Sequence, residues 1–248
     1  MEELTKKISG RRILVTGGTT GIGREIALKL AASGGRVLIT GHDQQHLEDT
    51  FAAWNQMNGK GQIDGIASDL STDEGIRQLF KEADRIFEGE LDIMVNNAAL
   101  AHGSVMEGGY ADWQRVVNTN LVGYIACSRM ALDRMENRSG HIVLIGSMSA
   151  DVREPGSSVY VATKAGIQGF AESLRKEVNE SGVRITLIEP GAVDTDMQPQ
   201  ARDEKQQAVD KQEMMTAEDI AAAVCYALTQ NERCDVVEIR LRPRLQLI

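Results

Sequence analysis

Seven short runs rich in β-branched residues recur along the chain, and enough sequence for a helix separates each from the next. They are RRILVT (11–16), RVLIT (36–40), QIDGIAS (62–68), LDIMVN (91–96), HIVLIG (141–146), VRITLIE (183–189) and DVVEIRL (235–241). A parallel sheet covered on both faces demands near-continuous apolar strands of this kind. The repeat therefore spells βαβ units. Right-handed crossovers then predict an α/β fold, a doubly wound parallel seven-stranded sheet with helices on both faces, which binds ligands at the carboxyl ends of its strands where the winding reverses. No linker, repeat or low-complexity tract interrupts the pattern, so 1–248 reads as a single domain. Its irregular stretch is 196–215, DMQPQARDEKQQAVDKQEMM. Mixed charges and sparse apolar positions there fit either a solvated helix pair or a mobile flap over a pocket.

A net charge of −9 excludes the concentrated basic face that nucleic acid or an anionic membrane surface requires. Cys127, Cys225 and Cys234 have no CxxC or Cys/His spacing, which predicts buried thiols in a reducing compartment and no metal site. No apolar run reaches signal or membrane length, so a cytoplasmic location is the expectation.

Two local patterns carry chemistry. In LVTGGTTGIGREI, Gly17, Gly21 and Gly23 fall between the first strand and the first helix, where glycines permit a tight turn, close approach to a pyrophosphate and helix–sheet packing. In SSVYVATKAG, Tyr160 and Lys164 stand four apart, on one face of a helix. A cation about 4 Å from a phenol at an effective dielectric near 20 stabilises phenolate by roughly 4 kcal/mol, about three pKa units, which would bring a tyrosine into working range. Ser147 ends the strand HIVLIGS thirteen residues earlier, so its hydroxyl should emerge at the same carboxyl edge of the sheet.

With TGGTTGIG, NNAA (96–99), NTNLVG around Asn120 and PGAVDTDM from Pro190, the chain resembles the short-chain dehydrogenase/reductase family, in its compact form, over nearly its whole length. The resemblance implies a Rossmann-type NAD(P)-binding sheet and an oxidoreductase that interconverts a ketone and a secondary alcohol. It assigns Tyr160 as catalytic acid/base and has Ser147 bond the reacting oxygen. Lys164 lowers the tyrosine pKa and bonds the nicotinamide ribose, and Asn120 holds a water that relays protons to Lys164. A plain backbone-bonding asparagine is the other reading of Asn120. For the cofactor it implies Gly17, Thr19, Thr20, Gly21, Ile22 and Gly23 at the pyrophosphate turn, Asp69 and Leu70 at the adenine, and Asn96 and Ala98 after the fourth strand. Pro190, Gly191, Val193 and Thr195 would lie beside the nicotinamide. Asp69 also reads as a helix N-cap, a role Ser71 or Thr72 fills equally well. His102, Arg153, Glu154 and Met197 stand where family members line the substrate pocket, and 196–215 would cover it. A homo-oligomer, tetramer or dimer, is implied as well. A non-catalytic nucleotide sensor is the alternative, though it needs none of Ser147, Tyr160 and Lys164.

NADP(H) is expected over NAD(H). Gly41 stands where NAD-using enzymes place a carboxylate for the ribose 2′-OH, and His42 follows it; Asp43, two residues late, reads as the N-cap of QQHLEDTFAAW. An imidazole with an ordinary pKa near 6.5 is only partly charged at neutrality, so the preference should be modest and grow as pH falls. Short 3-hydroxy acids, 3-oxoacyl thioesters, sugars and polyols are candidate substrates, because the pocket loops leave the choice open.

Overall fold

The computed structural model describes residues 2–135, 140–198 and 200–246. In chain order the strands are β1 (Arg12–Thr16), β2 (Arg36–Gly41), β3 (Gln62–Ala67), β4 (Ile93–Asn96), β5 (His141–Ile145), β6 (Arg184–Pro190) and β7 (Glu238–Leu241). All pair in parallel, in the order β3-β2-β1-β4-β5-β6-β7. The winding reverses between β1 and β4, which opens a crevice at their carboxyl ends.

Period-two alternation explains why the strands read as unbroken apolar runs. Ile13 and Val15 of β1 enter one core while Leu14 enters the other, and Val37 with Ile39 against Leu38, or Ile93 with Val95 against Met94, repeat the division. Each of these strands thus feeds two cores, one per face. Against the first pack α1 (Glu2–Ile8), α2 (Gly21–Ala32), α3 (Gln44–Gln56) and α10 (Ala217–Thr229). Against the second pack α4 (Asp73–Phe87), α6 (Gly123–Arg134) and α8 (Ser158–Val178). Between them in sequence come α5 (Tyr110–Val117), the single turn α7 (Ser149–Val152) and α9 (Arg202–Asp210).

Four features differ from the sequence reading. The seventh strand, expected over 235–241, starts at Glu238 and lies half exposed at the sheet edge, since only β6 pairs with it. Residues 196–215 carry one helix, α9, pinned to the body by Lys205, whose Nζ donates to Thr195 O at 3.0 Å and pairs with Asp194 at 3.2 Å. A bridge joins Val193 to Met215. Cys127 and Cys225 are buried as expected, but Cys234 is exposed. Among the described residues no helix is long and apolar enough to cross a membrane.

Candidate active site

At the carboxyl edge of β1 the chain turns into α2, and Thr20 sits at the helix N-cap position without making a side-chain cap. The first amides of α2 are therefore left for an external anion, the arrangement a pyrophosphate fits. Close packing shapes this turn: a Cβ on Gly23 would stand 2.1 Å from Gly17 O, so only glycine lets helix and turn meet. Thr19 is buried. Thr195 leans on Gly21, 3.1 Å from where its Cβ would be, and so brings the loop after β6 against the glycine turn.

A cavity of about 390 Å³ opens beside it, and Ile22, Ala99, His102, Ser147, Glu154, Tyr160, Lys164, Pro190, Gly191, Val193, Thr195 and Met197 line it. Ser147 follows β5, whose ladder with β6 continues through Gly146 N to Ile188 O and Met148 N to Pro190 O. The Ser147 hydroxyl accepts from Ser149 N at 3.2 Å and lies near enough to Tyr160 to lower its pKa. One turn on, Lys164 is buried and donates from Nζ to Ile145 O at 2.9 Å, with Nζ 5.6 Å from the centre of the Tyr160 ring. Burial raises the Tyr160 pKa and Ser147 lowers it, with a net rise. Burial pulls Lys164 down to about 7, opposed by Glu189. In the free protein desolvation outweighs the effect of Ser147 and Lys164 adds no lowering of its own, so the phenol keeps its proton, in contrast to the three-unit fall the sequence suggested.

Two expected residues stand otherwise than the resemblance implied, and Asn120 takes the backbone-bonding role that was its other reading. The Asn120 amide is taken up by Leu100 N at 2.7 Å, Leu100 O at 2.9 Å and Thr163 Oγ1 at 3.3 Å. It clamps the loop after β4 to α8 from within a π-helical turn, Asn118–Val122. Asn96 is buried and donates to Ser128 Oγ at 3.1 Å, beneath the cavity rather than in it. Arg153 has a positive φ of 54°; its Nε donates to Ala150 O at 3.0 Å, and it lines a separate cavity bounded by α8 and β7.

The residues that the resemblance assigns to the adenine assemble apart from this cavity. Asp43 caps α3, accepting from Gln45 N at 2.7 Å and His46 N at 3.1 Å. Thr72 caps α4, accepting from Gly75 N at 3.1 Å, which leaves Asp69 to accept from Ser71 N at 2.9 Å. Burial opposes ionisation of Asp69, but the Ser71 bonds, with Arg115 and His42 nearby, hold its carboxyl below the usual range. Leu70 belongs to the second core.

Sequence reasoning missed several residues. Asn97 and Ala101 line the cavity, as do Met148 and Ser149. Asn97 Nδ2 ties the loop to Thr16 O and Gly17 O at 3.1 and 3.0 Å, and Ala98 N donates to Thr16 Oγ1 at 3.2 Å; NNAA carried that signal in its second letter. Gln246 also lines the cavity, its Oε1 accepting from Ala192 N at 3.0 Å. Arg115 on α5 reaches His42, Nη2 to Nε2 3.3 Å.

A glycine turn, a phenol, a hydroxyl and an ammonium at the reversal of a doubly wound sheet define a nucleotide-binding fold equipped for proton transfer. The short chain dehydrogenase family model matches residues 11–206, and the chain belongs to that family. An uncharacterized oxidoreductase of Staphylococcus aureus is 33% identical over 245 residues, 98% of this chain and all of that one. One from Staphylococcus saprophyticus is 34% identical over the same span. A short-chain dehydrogenase from Burkholderia cenocepacia solved in complex with NADP superposes with a TM-score of 0.84 at 28% identity, covering 96% of this chain and 98% of that one. A metagenomic short-chain oxidoreductase in complex with NADP gives 0.81 at 27%, covering 97% and 100%.

Proposed function

We propose that the protein is an NAD(P)-dependent oxidoreductase that interconverts a ketone and a secondary alcohol, favours NADP(H), and moves the proton through Tyr160. One observation carries the reading: Tyr160, Ser147 and Lys164 line one cavity at the reversal of the sheet, with Ser147 close enough to lower the Tyr160 pKa. When bound, the nicotinamide supplies or accepts the hydride. The uncapped start of α2 fits its pyrophosphate, and the 190–195 loop forms the wall beside the reacting end. A substrate oxygen within reach of both hydroxyls takes the phenolic proton from Tyr160 as negative charge develops, while Ser147 donates a hydrogen bond to the same oxygen. Burial keeps the proton on Tyr160 in the free protein, so the site is set as an acid, ready for carbonyl reduction. Lys164 stands one turn below to hold the nicotinamide ribose and to stabilise phenolate.

Two features support NADP(H). A side chain at Gly41 would meet Thr19 Oγ1 at 2.3 Å, so Thr19 occupies the space a ribose-binding carboxylate would need. His42 and Arg115 together offer basic groups nearby. The two structural neighbours solved with NADP point the same way.

The test is consumption of NADPH against a panel of 3-oxo acids, 3-oxoacyl thioesters, sugars and cyclic ketones. Tyr160→Phe should lower kcat on any active substrate by well over tenfold, a loss above about 1.4 kcal/mol, with nucleotide affinity within twofold of the parent. A variant that keeps more than a tenth of the rate rejects the acid/base assignment, and nucleotide binding without turnover on any substrate favours a sensor.

A further inference from the structure

Lys164 is 2% exposed and its ammonium donates to a neutral carbonyl, yet a buried cation is costly without an opposite charge. Glu189, the last residue of β6 before Pro190, is fully buried at 0% and has no part in the chemistry above. Its Cγ and Oε1 lie 3.2 Å from where a Gly146 Cβ would stand, while Lys164 bonds the carbonyl of the preceding residue, Ile145. The two side chains thus approach neighbouring residues at the end of β5, from β6 and from α8, without a direct ion pair between them among the described contacts. Gln168 donates from Nε2 to Glu189 Oε1 at 2.8 Å. Tyr160, Lys164 and Gln168 stand at i, i+4 and i+8 on one face of α8, so the catalytic stripe ends on this carboxylate. On its other side Arg240 Nε lies 3.2 Å from Oε2, an ion-pair separation without hydrogen-bond geometry, while its Nη1 meets Asp151 at 2.9 Å and its Nε also pairs with Glu238.

We propose that Glu189 is a positioning residue for Lys164: a buried counter-charge, steadied by Gln168 and Arg240, that keeps the lysine ammonium charged where it must hold the nicotinamide ribose. The inference rests on the role given to Lys164 above. Around the ammonium, the Tyr160 and Tyr124 rings each lie 5.6 Å from Nζ, and burial keeps both phenols protonated. Glu189 is the group that raises the Lys164 pKa against burial, which takes it to about 7. Burial likewise lifts Glu189 to about 7, Gln168 and Arg240 favour its charged form, and Glu238 and Asp151 oppose it.

The sign follows. Without the carboxylate, burial acts on Lys164 unopposed, and the ammonium is lost at a lower pH. NADH affinity, followed by nucleotide fluorescence between pH 5.5 and 9, should fall as pH rises through the Lys164 titration; the nucleotide without a 2′-phosphate keeps His42 out of the profile. Glu189→Gln should move that midpoint down by about one pH unit, the lower end of what a close opposite charge contributes. Gln168→Leu should move it the same way by less, because the amide favours the charged carboxylate, and Glu189→Asp should restore part of the shift. Lys164→Met should flatten the profile. A Glu189→Gln midpoint equal to the parent's, with Lys164→Met flat, overturns the proposal alone. Parental pH dependence in Lys164→Met overturns the reading of the lysine and the proposal with it. If Glu189→Gln fails to fold by circular dichroism, Gln168→Leu decides by the same criterion.

Discussion

At Gly41 a missing side chain does selective work. A carboxylate there would collide with Thr19, and the basic groups that stand in the neighbourhood come from two different elements, His42 after β2 and Arg115 on α5. On the proposed NADP(H) preference, both would attract a 2′-phosphate. Arg115→Ala is expected to weaken NADPH binding about fivefold, the scale of one exposed charge pair, and to leave NADH within twofold; equal losses for the two nucleotides in a fluorescence titration would place Arg115 outside the phosphate site. His42 was legible because it follows a strand by one residue. Arg115 was not, because 73 residues separate it from His42 and only the β3-β2-β1-β4 order brings α5 beside β2. The same limit applies to Gln246, set against Ala192 by the turn after β7. Ser147, Tyr160 and Lys164 were legible because strand end and helix period are local properties. The direction of the Tyr160 shift was not, since burial is a property of the finished fold.

Helices and strands were readable wherever one physical rule fixed them. Strands β1 to β6 lie within two residues of the apolar runs, because two-sided burial makes most strand positions apolar. Asp43 caps α3 as its position suggested. Two elements escaped. The π-helical turn at Asn118–Val122 looks in sequence like ordinary helix, and its widened geometry accompanies the Asn120 clamp on the loop of Leu100. Helix α9 has few apolar residues, so nothing periodic announces it; buried Lys205 ties it to Thr195 O and Asp194, and the Val193–Met215 bridge fastens the chain behind it. Since those partners belong to the loop lining the nicotinamide side of the cavity, α9 and that loop should move together. Lys205→Ala is expected to raise the substrate KM severalfold with a smaller effect on kcat and to speed proteolytic cleavage within 196–215. Unchanged cleavage kinetics would show that α9 is held by something else.

Across the whole molecule the two ends of the sheet carry opposite electrostatic designs. The carboxyl edge holds ionisable groups brought near neutrality by burial, Lys164 and Glu189 both to about 7. The amino edge holds His141 at the start of β5, 3% exposed, where burial, helped by Arg184, pulls its pKa down to about 3. Thr186 Oγ1 donates to Val236 O at 2.6 Å and so must accept from His141 Nε2 at 2.7 Å. The proton of the neutral ring is therefore on Nε2, and Nδ1 has no partner. Protonation would bury a cation beside Arg184. The unfolded chain has no such constraint and takes up the proton below its ordinary value of 6.5. With the folded pKa depressed, the unfolded state binds more protons throughout that window, so stability is full above about 6.5 and falls as pH drops toward about 3. Between pH 6.5 and pH 5 the loss from this one residue is about 2 kcal/mol. Urea midpoints over that interval should fall in the parent, and His141→Gln, which cannot charge, should flatten the dependence while lowering stability near pH 7. Identical slopes in parent and variant would mean that carboxylates, not His141, set the acid limit of this fold.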